Sequence, residues 1–235
     1  MMQTMKGMDN LTAHKAADYD EHVRRMIPFY EVIHNQVIQL AQAVRPDANV
    51  WVDTGCGTGY LVEQAMAAFP NTKFILADPS EAMLEQTRKR LTSTPLERLT
   101  ILPAVDSTML GSQVKPGSVD VVTAIQCHHY LQPDGRRRAV RACFDLLTPG
   151  GLFVTSENIA ARTEEGTKIG LKRWKAFQMT QGKSEEEADK HLARYGTEFF
   201  PITVDQHVQV FAEVGFRVVE LFWFSEMQAG FYGVK

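Results

Sequence analysis

One stretch limits the fold more than any other. The run Val50-Trp51-Val52-Asp53-Thr54 is apolar until its aspartate, and Gly55, Gly57 and Gly59 then alternate with other residues. Glycine permits positive φ and lets another molecule lie against bare backbone, so a strand is expected to turn sharply into a helix here. Strand signals at 49–54, 73–78, 99–103, 119–125 and 152–156 alternate with helical stretches at 59–69, 80–91 and 134–147. The strand cores "VVTAI" and "LFVTS" are almost wholly apolar, as strands covered on both faces must be. This alternation predicts an α/β fold, a mostly parallel sheet with helices on both faces.

The flanks complete the expected architecture. Residues 19–44 carry apolar side chains at helical spacing, interrupted at Pro28, so 1–45 reads as an N-terminal helical cap. After Ser156 the alternation stops. Residues 157–202 show two amphipathic helical stretches and no strand signal, and read as a helical cover inserted after the fifth strand. Ser184 with Glu187, and Thr203 with Gln206, have the spacing of capping boxes. The segments 216–224 and 230–234 read as strands joined by the short "SEMQA", which favours a hairpin and an antiparallel last strand. The expectation is one domain over 1–235, built on a seven-stranded sheet.

Composition excludes some functions. Net charge is −3, so a general polyanion binder is disfavoured and nucleic acid is not the expected partner. The one tight basic run, Arg136-Arg137-Arg138, reads as a solvated helix face. Three cysteines without paired spacing argue against a disulfide scaffold. No apolar run approaches a membrane span, and the N-terminal residues lack the apolar core of a leader peptide. A cytoplasmic protein acting on a small molecule is expected, with a homodimer left open.

The glycines admit two readings. A dinucleotide fingerprint, G-x-G-x-x-G, would need its third glycine at Tyr60, whose side chain would crowd the helix–strand approach. The observed D-x-G-x-G-x-G instead resembles the first motif of the Rossmann-like (class I) S-adenosylmethionine-dependent methyltransferases. Four further motifs follow in that family's order: "FILADPSEAML", "PAVDST", "SVDVVTAIQCHHYL" and "LLTPGGLFVTSE". The resemblance implies S-adenosylmethionine as cofactor. It also implies a site formed by Asp53, Thr54, Gly55, Cys56, Gly57 and Gly59, with Ile125 and Gln126 after the fourth strand. Asp78 would hold the ribose hydroxyls, Pro79 and Met83 would flank the adenine, and Asp106 with Ser107 would meet the adenine amine. Tyr19 would close over the cofactor.

The ends of the chain resemble the branch that includes carboxy-S-adenosylmethionine synthase, which makes a carboxylated cofactor from prephenate. "YDEHVRRMIPFY" puts Tyr30 where that branch has a tyrosine near the cofactor. The branch's "KARLHKAGF" corresponds to "VQVFAEVGF", so its arginine there, taken as the partner of the additional carboxylate, becomes Val210. A desolvated carboxylate without a cation is costly. Methyl transfer to a small molecule is therefore preferred, with carboxylated-cofactor synthesis or binding without catalysis as alternatives.

Catalytic candidates belong at strand carboxyl ends. They are Glu157 after the fifth strand, and His129 and His128 after the fourth. Trp174, Tyr195 and Phe199 in the cover, with Trp223 and Tyr232 on the final hairpin, are candidates to wall the acceptor pocket. Three adjacent residues such as Cys127-His128-His129 do not converge easily on one ion, so no metal is expected.

Overall fold

The computed structural model describes residues 9, 10, 12 and 14–235. The first eight residues of the expected cap, with Leu11 and Ala13, lie outside the described residues. The elements run α1 (Tyr19–Val23), α2 (Tyr30–Val44), β1 (Val50–Thr54), α3 (Tyr60–Ala68), β2 (Lys73–Ala77), α4 (Glu81–Arg90), β3 (Leu99–Ile101), β4 (Val119–Ile125), α5 (Pro133–Leu146) and β5 (Leu147–Ala160). They continue with α6 (Glu164–Thr180), α7 (Glu185–Leu192), β6 (Ile202–Thr203), α8 (Val204–Val214), β7 (Val218–Ser225) and β8 (Gln228–Val234).

The main sheet has the order β3-β2-β1-β4-β5-β8-β7, and β6 pairs separately with β5. Strands β1 to β5 are mutually parallel, and β8 runs antiparallel to both of its neighbours. The sequence walks outward from β1 to β3 and then jumps back to β4. The crevice between β1 and β4, at their carboxyl ends, is therefore the topological switch point where such sheets bind ligands.

Alternate residues of the central strands feed two cores. Trp51, Val121, Leu152 and Val154 pack under α2 and α3, while Val52, Val122 and Phe153 pack under α5 and α8. Asp120 ties the lower edge together. It accepts the Asn49 and Val50 backbone N–H groups at 2.8 and 3.1 Å and pairs with Arg45 just beyond α2.

Both capping boxes form, at Ser184/Glu187 and Thr203/Gln206. Ser80 caps α4 by accepting from the Met83 backbone N–H at 3.2 Å. Two expectations need correction. The fifth strand is longer than 152–156: it continues through Glu157 to Ala160, and β6 adds a short strand where none was expected. Pairing explains this, because Glu157 and Asn158 lie opposite Ala229 and Gln228 of β8, a partner that local pattern does not reveal. Arg136 is also not part of a solvated face. It is 1% exposed, and its guanidinium donates to the carbonyls of His128 (3.3 Å), Leu131 (3.4 Å) and Phe200 (2.5 Å).

Candidate active site

The three glycines do three different jobs. All are left-handed, at φ of 66°, 56° and 79° for Gly55, Gly57 and Gly59. A Cβ on Gly55 would sit 2.4 Å from Cys127 Cβ, so this glycine lets β1 and β4 close. A Cβ on Gly59 would press on Thr87 of α4 at 3.2 Å. A Cβ on Gly57 would meet nothing within 4 Å, because Gly57 faces a cavity.

That cavity, of about 250 Å³, lies off the carboxyl ends of β1, β2 and β4. Its wall includes Gly55, Gly57, Asp78, Pro79, Met83, Ile125, Gln126 and Tyr19, all expected from sequence. Two smaller cavities of about 30 Å³ each flank it. One reaches Asp53, Cys56, Tyr30, His34 and Tyr60. The other, beneath the cover, reaches His129, Asn158, Trp174, His191 and Arg194. Tyr19 and Gln126 line all three, so they stand where the spaces meet.

Gln126 holds an uncommon left-handed backbone at φ 57°. Its N–H donates to the Ser156 carbonyl at 2.6 Å, and its side-chain amide donates to Ser156 Oγ at 2.9 Å. Tyr19 arrives on α1, which Asp20 fastens to the glycine loop. Asp20 accepts from the Thr58 hydroxyl at 2.8 Å and pairs with Arg90.

Two buried carboxylates face this region. Asp78 takes the Gly57 N–H on Oδ2 at 2.9 Å and the Ser80 N–H on Oδ1 at 2.8 Å. Burial pushes its carboxyl up to about 6, against the lowering effect of those two donors. Asp53 receives the Thr123 hydroxyl at 2.6 Å, and Trp51 Nε1 in turn donates to Thr123 at 2.9 Å. Burial raises Asp53 to about 7, opposed by Thr123 and helped by the negative charge of Asp78. Two carboxyls held this high, beside open space, suit a cationic ligand whose charge would ionise them.

Other candidates fall behind the wall. Thr54 and Ser107 are buried and bonded to each other at 2.9 Å, and neither lines the cavities. Asp106 does not line them either; its Oδ1 caps the following turn by accepting from Thr108 N at 2.7 Å. His128 is buried, with Nε2 2.9 Å from Ser107 Oγ, and burial lowers it to about 4.

Glu157 is 0% exposed and saturated. One oxygen accepts from His128 N and Thr155 Oγ1, the other from His129 N at 2.7 Å and His129 Nδ1 at 2.9 Å. Burial alone would raise this carboxyl, but the His129 bond and its other donors bring it down to about 2. A carboxylate so held is a poor proton acceptor and instead orients His129. Burial keeps His129 neutral despite Glu157, with Nδ1–H spent on that carboxylate and the ring on the wall of the inner chamber.

Of the aromatic candidates, Trp174 lines that chamber and donates from Nε1 to the Met26 carbonyl at 2.7 Å. Phe199 stands behind it, edge-on to His129 at 5.9 Å. Tyr195 packs on the same cluster without reaching a cavity. Trp223 and Tyr232 belong to the core beneath α2, because their strand alternation turns them to that face of the sheet. Sequence reasoning missed Tyr130, which lines two of the cavities, and Arg194, which pairs with Glu198 at 2.7 Å. An aromatic directly after the histidine pair was a signal for the first; a lone arginine just beyond a cover helix gave none for the second. Elsewhere, a groove of about 500 Å³ between α5 and α8 contains none of the glycine-turn residues, and its Arg137 and Arg141 pair with Glu213 and Asp145.

Comparison with known proteins agrees with this geometry. Residues 52–153 match the family model described as a methyltransferase domain. Carboxy-S-adenosyl-L-methionine synthase of Wolinella succinogenes is 28% identical over 211 residues, covering 87% of this chain and 84% of that protein. A S-adenosylmethionine-dependent methyltransferase from Archaeoglobus fulgidus superposes with a TM-score of 0.66 at 11% identity, over 92% of this chain and 99% of the other. An O-methyltransferase family protein from Burkholderia thailandensis gives 0.60 at 15% identity; the chain spans 91% of itself but only 62% of that protein. Over residues 52–153 the chain thus resembles a methyltransferase domain; over most of its length it is similar to carboxy-S-adenosyl-L-methionine synthase and, in fold, to S-adenosylmethionine-dependent methyltransferases.

Proposed function

We propose that the chain transfers the methyl group of S-adenosylmethionine to a small molecule lodged beneath the cover. The observation that carries this reading is the open face of Gly57 beside Asp78, within a cavity that shares Tyr19 and Gln126 with two others. Asp78 has lone pairs left for two ribose hydroxyls, and Pro79 and Met83 flank the space where the adenine would lie. The cavity at Asp53 and Tyr30 suits the cationic amino-acid end of the cofactor. The bound cofactor supplies an activated methyl group. The chain's own residues then align the acceptor and exclude water, and His129 is the group placed to take a proton where the acceptor must lose one.

Carboxylated-cofactor synthesis is supported by a separate observation. The relatives carry that name, and the reason for setting it aside does not hold in the fold. Val210 is on α8, packed on the core beneath α5, and lines none of the three cavities. A guanidinium, Arg194, is present in the inner chamber. Incubation of the protein with S-adenosylmethionine and prephenate, followed by mass spectrometry of the nucleoside, separates the readings. The unmodified cofactor is expected; a carboxylated product replaces the first reading with the second. Calorimetry with S-adenosylhomocysteine tests the cofactor itself, and no measurable affinity refutes both.

A further inference from the structure

The inner chamber has an unusual wall. Among the described residues lining it there is no aspartate or glutamate, while His129, His191 and Arg194 converge there. His129 and Arg194 are fixed in place by Glu157 and Glu198. His191 is not: it is 8% exposed, and neither Nδ1 nor Nε2 has a hydrogen-bond partner. Its ring stands edge-on to Trp174 at 5.2 Å, so its placement is settled by packing alone. Gln178, one turn beyond Trp174 on α6, is fully buried with both amide atoms also unpartnered. An orphaned buried polar group costs about 1–3 kcal/mol, and two in one small cover need a reason.

Positive charge surrounds the imidazole. Lys183 is 9% exposed and forms no ion pair among the described residues; burial first, then the positive charges of Lys183 and Arg194, hold His191 in the neutral form. For Lys183 burial likewise lowers the ammonium, with Arg194 and Arg25 adding to the effect and Glu187 opposing it. A single entering anion would satisfy the imidazole N–H and relieve this repulsion.

We propose that His191 receives the carboxylate of a small organic acid, which makes the acceptor an acid anchored at the deep end of the chamber. The volume favours a carboxylate over a phosphate. About 30 Å³ of water-accessible space holds roughly two water-sized oxygens at about 10–15 Å³ each, the number a carboxylate carries. This assignment rests on the reading that the adjoining cavity holds the cofactor, which leaves the inner chamber for the acid group of the acceptor.

The test uses the full chain with ¹⁵N-labelled histidine, loaded with S-adenosylhomocysteine and titrated with acetate. The His191 ring nitrogens are expected to move to the imidazolium pattern, with proton uptake seen in calorimetry as a dependence on buffer ionisation enthalpy. His191→Gln should weaken acetate at least tenfold and leave S-adenosylhomocysteine affinity unchanged. Unmoved His191 resonances at saturating acetate overturn the proposal, and this measurement needs no variant to fold. Equal binding of neutral acetamide overturns the role of charge, and tighter binding of inorganic phosphate overturns the carboxylate assignment. If S-adenosylhomocysteine itself does not bind, the cofactor reading fails, and the same titration on the unloaded chain still decides the role of His191.

Discussion

Asp78→Asn is the sharpest perturbation of the site, because it preserves shape and removes only charge and one acceptor. In the parent, each carboxylate oxygen takes one backbone N–H, from Gly57 at 2.9 Å and from Ser80 at 2.8 Å. An ionised carboxylate has about four acceptor positions, so two remain for ribose hydroxyls. Asparagine offers one oxygen, and its amide must face either a backbone N–H or the sugar. Hydrogen bonds to a charged group contribute about 1.5–3 kcal/mol each. Losing one and weakening another should cost about 3 kcal/mol of binding, on the order of a 100-fold rise in Kd. Calorimetry with S-adenosylhomocysteine at pH 7.5 measures this, with thermal melting as the folding control. The pH dependence adds a second readout. Asp78 is raised to about 6 and binds in its ionised form, so parent affinity should climb from pH 5 to 7. In the variant the remaining slope should come from Asp53, below its parent value of about 7 because the Asp78 charge that helps raise it is gone. Affinity within threefold of the parent, with melting unchanged, would refute the ribose assignment.

Further outcomes follow from the same geometry. Gly57→Ala should cost about 1–2 kcal/mol of stability for its left-handed backbone but abolish most cofactor binding, because its Cβ enters the cavity. Gly55→Ala should destabilise more, with about 1–3 kcal/mol of overpacking added by a Cβ placed 2.4 Å from Cys127 Cβ; Cys127→Gly should restore part of it and do nothing for Gly57→Ala, as urea titrations of the double variants will show. The contribution of Asp53 and Asp78 to the stability of the unliganded protein should fall as pH rises from about 4 to 7, because their folded values of about 7 and about 6 lie above the unfolded value of about 3.9; it is read as the difference between the parent and the Asp53→Asn, Asp78→Asn double variant, since buried histidines such as His34 and His128, held down to about 4, slope the other way. Saturating cofactor should flatten that decline in a pH series of melts. Below pH 4 the sign reverses for Glu157, whose value of about 2 makes its contribution disappear as it protonates. Glu157→Gln should cost about 3–5 kcal/mol, because it unpairs a buried network, and the ¹⁵N shifts of His129 should report the loss of orientation.

Much of the sheet was legible because its strands are covered on both faces, and such strands spell themselves in continuous apolar runs. β4 appears at its expected limits, and the carboxyl ends of β1 and β2 sit within one residue of expectation. The glycine turn was legible for a related reason: left-handed backbone leaves few residue choices. What sequence hid were features decided across the sheet. Glu157 looked like a loop residue after a strand, yet pairing with β8 extends β5 past it and turns its carboxylate inward to His128 and His129. Arg136 looked solvated because two arginines follow it. Its position on α5 instead drives it under the cover, where three carbonyls receive it, including that of Phe200 at 2.5 Å. Trp223 and Tyr232 looked like pocket aromatics, but the period-two alternation of a strand sends them to the core beneath α2.

The weight placed on Val210 in the sequence shows how a residue comparison can mislead when the face of an element is unknown. α8 presents Val210 to the core shared by Phe153 and Val214, on the face of the sheet opposite Trp51. A cation lost there leaves the charge balance of the cavities unchanged. The groups that set that balance come from α7, the turn before it and the segment after it: Lys183, His191 and Arg194. Their positions depend on how the cover folds back over β4 and β5, which Phe200 N–H fixes by donating to the His129 carbonyl at 2.7 Å. With Arg136 holding the Phe200 carbonyl, the chain between α7 and β6 is clamped to the turn that carries His129. The acidic carboxyls therefore gather at the end of the crevice suited to a sulfonium and an ammonium, and the basic groups gather at the other. A ligand pair with that polarity, a cationic donor and an anionic acceptor, can lie head to tail through the space between Tyr19 and Gln126 with each charge matched, and the reverse pairing would place like charges together at both ends.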